Sequence, residues 1–562
     1  MRKNGLASAA LVLAILVLIG LVGVAVYRQL SVPGPSLPIT QGAITPAKHD
    51  WLQFNANPQH SGSDNQENII GAANVGSLQK LFQADLTGVA DGAPVYLAGV
   101  STPNGSKNLL FVTTRSGDIA ALDANTGSQL WVQHQPAGSC MVIDTTVPCY
   151  TTSSPALDPN RQYLYSYGLD GYVHKYGVAD GLEVKSGGWP ELTTAKTGDE
   201  KGSSALAVVT AKDGNSYLYM AHAYYPIAGA RKQNQGHLTT INLRDGSQHV
   251  FNTVCSDQTD VHFDFQAGSP KCHATEDGIW ARNPLVYSPD LDKIFLTAGC
   301  CTLDQAKHNW SETVFALHPD GTGREGDPLD TYTPADFQKL DEASQIASSA
   351  PALLPAPPTS KIKHLAAQSG KDGKLRLLNL DNLSGQGKIG QRGGELQLIT
   401  LPDNKPVFTT LAVWVNPANT TTWLYVASTT ILAAYKLTMD GSDNPILQMM
   451  WQKAENSNSP IIVNNVLYAV HSGSLVAFDP ITGNQLWRSN DLGNIHWQSP
   501  IVVNGMVYIT DEYNKLQAFA LNTNFSRKFD GPIHGYLLGW SNVVLRRFIN
   551  VLLICLVFEP LQ

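Results

Sequence analysis

The sequence predicts an all-β protein: an eight-bladed β-propeller of four-stranded antiparallel blades, preceded by an N-terminal transmembrane helix. Three observations carry that prediction. The string Gly117–Trp131, Gly-Asp-Ile-Ala-Ala-Leu-Asp-Ala-Asn-Thr-Gly-Ser-Gln-Leu-Trp, returns with little change as Gly473–Trp487. A small residue ahead of an apolar strand, most often followed by Pro, recurs at Ala93, Ser154, Ser204, Asn283, Ala350, Thr410, Ser459 and Ser499. Each marker leads into short alternating strands, of which Ile119–Leu122, Val173–Tyr176, Leu238–Leu243, Val314–Leu317, Leu375–Leu378, Leu432–Leu437, Leu475–Phe478 and Leu516–Ala520 are the third in their units. A fixed repeat outranks local readings of a chain, and period-2 alternation between Gly-rich turns is the pattern of an all-β array.

In chain order, Arg2 and Lys3 precede Leu6–Tyr27, an uncharged run long enough to span a bilayer. Residues 1–28 therefore read as a cytoplasmic stub with an uncleaved signal-anchor. Val24-Ala25-Val26-Tyr27 makes a poor cleavage site, and the basic flank keeps the N-terminus inside. Residues 29–50, with Val-Pro-Gly-Pro-Ser-Leu-Pro, read as a linker. Residues 51–525 are the propeller. Residues 526–562 form an apolar tail in two pieces split by Arg546-Arg547, each too short to span. This layout puts the propeller outside the cytoplasm, on a cell membrane, in a chain read as bacterial.

The repeat has a physical logic. In Asp123-x-x-Thr126-Gly127 and Asp479-x-x-Thr482-Gly483, the Asp and Thr side chains can bond turn amides, and Gly supplies the positive φ. Trp131 and Trp487 end the units and would wedge indoles between neighbours. The last unit stops at Leu521 without an outer strand, while Leu78–Leu86 looks like an outer strand without a unit. The prediction is that this segment completes the last blade and closes the ring.

Charged residues are 15% of the 562, the net charge is −8, and no basic run stands out. That excludes a nucleic-acid footprint. Of the 7 cysteines, Cys555 falls in the tail. The others lie as close pairs, Cys140/Cys149, Cys255/Cys272 and Cys300/Cys301. An even number outside the cytoplasm favours disulfides, with the connectivity open.

The motif Ala-x-Asp-x-x-Thr-Gly-x-x-x-Trp resembles that of the pyrroloquinoline quinone (PQQ) repeat, or quinoprotein alcohol dehydrogenase-like, propellers, over roughly residues 51 to 521. A second segment, from Gly278-Ile-Trp280 through Gly299-Cys300-Cys301 to Tyr332-Thr-Pro-Ala-Asp336, resembles the active region of the dehydrogenases themselves. The resemblance implies PQQ and Ca²⁺ as cofactors. It puts Asp336 at the position of the family's general base. Trp280, at the start of the same segment, could stack on a planar ligand, although such a Trp is more often blade packing. Cys300 stands where the family has a calcium-binding Asn, and sulfur is a poor calcium ligand. The family also has a ring-closed disulfide between two adjacent cysteines beside the quinone. Its place is an earlier blade, so Cys300-Cys301 could instead bond elsewhere, for example to Cys255 or Cys272.

The segments Val261-His262-Phe263-Asp264 and Cys272-His273 lack zinc-site spacing and read as surface loop. There is no Gly-x-Ser-x-Gly elbow and no phosphate loop. The leading expectation is a membrane-anchored, non-catalytic binding or scaffold module for a protein or glycan ligand. The alternative is a PQQ- and calcium-dependent alcohol or sugar dehydrogenase.

Overall fold

The computed structural model describes residues 49–134, 149–224, 234–262, 272–275, 277–300, 303–341 and 343–522. Leu6–Tyr27 and the tail 526–562 lie outside these residues, as do Cys140, Cys301 and Cys555. Among the described residues no helix is long and apolar enough to cross a membrane.

Eight antiparallel sheets follow one another along the chain, each a blade. Blade 1 is Val95–Thr102, Gly105–Thr113, Ile119–Asp123 and Gln129–Gln133. Blade 7 is Ile461–Val463, Val466–His471, Ser474–Phe478 and Gln485–Ser489. Blade 8 takes its three inner strands from Ile501–Val503, Met506–Thr510 and Lys515–Leu521. Its outer strand is Leu78–Asp85, paired antiparallel from Leu78↔Leu521 to Asp85↔Lys515. The ring is closed as the sequence predicts, by the first long strand of the domain on its last one.

The repeat residues build the joints between blades. Asp123 Oδ1 accepts the Asn125 amide at 2.9 Å, and Asp479 Oδ1 accepts the Thr482 amide at 2.8 Å. The turn glycine then packs under the ring that ends the previous blade. A Cβ on Gly181 (φ +70°) would lie 2.6 Å from the Trp131 ring, and one on Gly483 (φ +68°) 2.8 Å from Trp451. The indole N–H donates across the same joint: Trp131 Nε1 to Val178 O at 3.3 Å, Trp451 Nε1 to Pro480 O at 3.0 Å, Trp487 Nε1 to Leu78 O at 3.0 Å. At the closing joint Phe82 replaces the Trp, and a Cβ on Gly127 (φ +75°) would lie 2.6 Å from its ring. Gly127→Val combines left-handed backbone strain with that clash. We expect a loss of roughly 2–4 kcal/mol in denaturant unfolding, whereas Gly441→Val, in open space, loses far less.

The small-residue markers line the axis, where eight strands converge and bulk does not fit. Ser154 Oγ accepts the Ala93 amide at 2.8 Å, Leu206 N donates to Ser154 O at 3.0 Å, and Ser499 Oγ donates to Ser459 O at 2.8 Å. A Cβ on Gly92 would sit 2.5 Å from Ser154 Oγ.

One feature had no sequence signal. The segment from Trp51 to Asp64 runs past inner strands of blade after blade. Trp51 pairs with Tyr96 of blade 1, and Leu52 O accepts Leu157 N of blade 2 at 2.8 Å. The Gln53 amide bonds both N and O of Val208 in blade 3. Pro58 O accepts Tyr287 N of blade 4 at 3.1 Å, Ser61 O accepts Val413 N of blade 6 at 2.8 Å, and Ser63–Asp64 adds in parallel to Ile461–Val463 of blade 7. Crossing between opposite blades, the segment lies across the axis, with Phe54 and Trp51 buried.

Cys255 and Cys272 form a disulfide, as their proximity in sequence suggests. That pairing removes both as partners for Cys300. Cys149 and Cys300 are each disulfide-bonded as well.

Candidate functional site

An axial pocket of about 190 Å³ opens in the ring, built from residues that different blades contribute. Its aromatic walls are Tyr150, Tyr224, Trp280, Phe408 and Trp497, and its cations are Lys201, Arg282 and Lys371. Thr152, Ser203, Gln345, Ser348 and His496 are the other described residues there, and among the described residues no carboxylate is part of its lining.

Why these residues meet is a matter of position. At four of the eight axial markers the residue two before lines the pocket: Thr152 before Ser154, Ser348 before Ala350, Phe408 before Thr410 and Trp497 before Ser499. In blades 3 and 4 that position is taken by Gly202 and Ala281, and the flanking Lys201/Ser203 and Trp280/Arg282 line the pocket instead.

Arg282 is fully buried. It donates Nη1 to Ser203 O at 2.8 Å and Nη2 to Thr152 O at 2.5 Å, and lies between the rings of Phe54 and Trp497, at 6.0 and 5.9 Å. Burial lowers its pKa to about 10, so it stays charged. Lys201 Nζ sits 3.9 Å above the Tyr150 ring, and burial lowers its pKa to about 7. Beside them, Asp91 is buried at the hub of a polar network. Its Oδ2 lies 2.9 Å from both Arg115 Nε and His496 Nδ1, and its Oδ1 accepts the Trp497 amide at 3.1 Å. Burial alone would raise the Asp91 carboxyl, but His496, Arg115 and Arg282 together hold it below the usual range.

Of the residues the sequence singles out, Trp280 lines the pocket. Its ring meets Tyr224 edge-on at 4.7 Å, and its buried Nε1 has no hydrogen-bond partner. Cys300 lies behind the wall, its sulfur accepting from Tyr224 OH at 3.5 Å. Cys301 is outside the described residues. Asp336 is not in the pocket lining: its carboxylate is ion-paired to Lys374 at 2.8 Å and partly exposed, and that pairing holds its pKa low. A Pro-x-Asp loop matches the motif, while tertiary packing turns its carboxylate to a lysine.

Sequence reasoning missed Lys201, Arg282, Lys371, Asp91 and His496. For Lys201, Arg282, Asp91 and His496, a place next to the axial markers was the available signal, and Lys371, in the turn between His364–Ser369 and Lys374–Asn379, had none. It also missed two buried acids near Cys300. Asp277 lies 3.4 Å from Ser311 Oγ, which accepts the Cys300 amide at 3.1 Å, and Glu312 accepts the Ile346 amide at 2.9 Å. Burial raises them to about 7 and about 8. The Gln345 amide, oriented by its neighbours, donates to Gly299 O at 3.2 Å and accepts from Lys371 Nζ at 3.0 Å.

Fold and pocket together define a closed eight-bladed propeller with a cationic, aromatic-walled axial site. The family described as outer membrane protein assembly factor BamB, a PQQ-repeat family, matches residues 78–267 and 441–527. Over those residues the chain is similar to the PQQ-repeat β-propellers, as its repeat motif suggests.

Solved structures with this fold include the quinohemoprotein alcohol dehydrogenase ADHIIG of Pseudomonas putida HK5, at 13% identity and a TM-score of 0.58 over 84% of this chain and 80% of that one. The Comamonas testosteroni quinohemoprotein alcohol dehydrogenase matches at 14% identity and 0.58, over 85% and 81%. A europium-containing methanol dehydrogenase matches at 13% and 0.58, over 85% and 99%. At such identities the likeness establishes the fold. No curated protein matches the chain.

Proposed function

We propose that the axial pocket binds PQQ and that the protein is a quinoprotein-type dehydrogenase. The observation that carries this reading is the convergence of Lys201, Arg282 and Lys371 with the faces of Trp280, Trp497 and Tyr150. A flat quinone bearing three carboxylates needs such a set: cations for the acids, rings for the plane, and a donor such as the unpartnered Trp280 Nε1. Calcium does not fit. The described lining residues offer hydroxyl and amide oxygens beside three cations and no carboxylate, whereas Ca²⁺ takes six to eight oxygens with acids among them. No step is assigned to it.

When bound, the quinone supplies hydride acceptance. Lys201 and Arg282 orient it and hold its negative charge, and Trp280 covers it. His496 replaces Asp336 as the candidate base: hydrogen bonding of Nδ1 to Asp91 leaves Nε2 as the nitrogen that takes a proton. The Cys255–Cys272 disulfide supports our placing of the propeller in an oxidising compartment outside the cytoplasm.

A second reading, a propeller that binds its ligand without turnover, is favoured by the Asp336–Lys374 ion pair and by the disulfide-bonded Cys300. Dye-coupled oxidation of primary alcohols after PQQ loading separates the two. Turnover that His496→Gln abolishes while binding persists supports the dehydrogenase. Binding without turnover in the wild type supports the second reading, and no binding removes the dehydrogenase.

A further inference from the structure

Away from the axial pocket, blade 3 carries a buried cluster that the quinone reading does not use. Gly202, His222, His237 and Asn252 are paired in register across its strands. His262 comes from the chain beyond the last strand and stacks on His237 at 3.5 Å, which stacks in turn on His222 at 4.3 Å. Glu200 closes the group from the first strand. Glu200, His237 and His262 are all fully buried.

The hydrogen bonds fix what these groups present to one another. His237 Nε2 faces Thr193 O at 3.0 Å, so Nε2 carries the proton. His262 Nε2 faces Asn252 Oδ1, and the Asn252 amide nitrogen donates to Cys255 O at 3.5 Å, so again Nε2 is the donor. His262 Nδ1 is then left toward Glu200, and His237 Nδ1 lies between Glu200 and Gln235 O, the latter 3.4 Å away. His262 Nδ1 lies 2.8 Å from Oε1 and His237 Nδ1 3.9 Å from Oε2. One ligand atom from each of the three residues lies within 4.8 Å of the other two. Glu200 also accepts the Thr194 hydroxyl and the Gln235 amide, the latter at 3.3 Å, and its carboxylate and the two imidazoles are close enough together to share one cation. A proton serves the Glu200–His262 contact alone. Lys196 Nζ is 4.0 Å from Glu200 Oε1 and is committed to Gln235 Oε1 at 2.8 Å.

We infer that Glu200, His237 and His262 form a site for one divalent, borderline transition-metal ion, for which zinc is the best match. Two imidazoles and a carboxylate are a zinc ligand set, and zinc accepts the low coordination number that three side chains and a water or hydroxyl supply. Each ring already donates its other nitrogen to an oxygen, the outer contact that orients metal-bound histidines. His174 shows the contrast: its two nitrogens meet Asp170 and Glu183 on opposite sides and cannot converge. The ion would clip the chain after blade 3, which the Cys255–Cys272 disulfide already ties, to the strand whose next residue is Lys201. The inference is independent of the quinone reading.

The test uses untagged full-length protein, stripped with dipicolinate and dialysed. We expect Zn²⁺ to return to about one equivalent by plasma mass spectrometry and to raise the melting temperature by several degrees. Co²⁺ should give visible absorption of a low-coordinate N/O site, competed away by Zn²⁺. Glu200→Gln and His262→Gln, where folded by circular dichroism, should lose at least about tenfold in metal affinity, and His174→Gln should lose none. Folded wild-type protein that takes up neither ion, or uptake unchanged in folded Glu200→Gln, overturns the site. The wild-type arm decides even if both variants fail to fold.

Discussion

Lys201→Met is expected to weaken PQQ binding about ten- to hundredfold while making the protein more stable at neutral pH. Lys201 is the pocket cation closest to losing its charge, with burial lowering its pKa to about 7. A hydrogen bond from a charged donor contributes about 1.5–3 kcal/mol, which sets the size of the affinity loss. The pH dependence follows from the sign of the shift. An anionic ligand selects the protonated amine, so wild-type affinity falls as pH rises through about 7. The Lys201→Met titration should be flat across the same range.

Stability moves the other way. Between pH 7 and the unfolded lysine value near 10.5, the unfolded chain holds a proton that the folded chain lacks. Stability therefore rises with pH over that window and is level below it. At neutral pH the buried amine costs a few kcal/mol, offset partly by its position over Tyr150. Methionine removes that cost, and a gain of roughly 1–3 kcal/mol is expected by denaturant unfolding. A residue that lowers stability and lines a pocket is the signature of a group kept for binding.

Deleting residues 1–86 is expected to abolish cooperative folding. A chain beginning at Lys48, the boundary of the compact unit, should unfold as the full-length protein does. The longer deletion removes the outer strand of blade 8 and leaves the edge Lys515–Leu521 without its pairs. An open, apolar edge of that kind templates aggregation. The deletion also removes Trp51, Phe54, Ile70 and Val75, all buried. At about 2–5 kcal/mol for each large buried side chain, these four alone cost about as much as the 5–15 kcal/mol by which folded domains are stable, before the lost strand pairing is added. Soluble protein with a single sharp transition would show that the ring does not depend on closure by its N-terminal strand.

The two predictions mark what was legible in the sequence. The blades were, because Asp123–Trp131 and Asp479–Trp487 do their work locally: a turn, a glycine, and an indole against the next blade. Closure was also legible, because Leu78–Leu86 was a strand lacking a unit. The pocket was not. Lys201, Arg282, Lys371 and Trp497 are far apart in sequence; Lys201, Arg282 and Trp497 meet because each lies within three residues of an axial marker in its own blade, and Lys371 reaches them from a turn of blade 5. Asp336 shows the opposite failure, a motif whose letters match while Lys374 takes the carboxylate. His262, read as part of a surface loop, is buried against Glu200, because the loop folds back under blade 3.

Equilibrium titration of PQQ into the full-length protein, followed by tryptophan fluorescence and calorimetry, tests the central claim most directly. The pocket predicts saturable quenching at one quinone per chain, with a Kd of about 10 μM or below, tighter at pH 6 than at pH 8 and lost in Trp280→Ala with Lys201→Met. A folded protein that shows neither quenching nor heat at about 100 μM PQQ would contradict it.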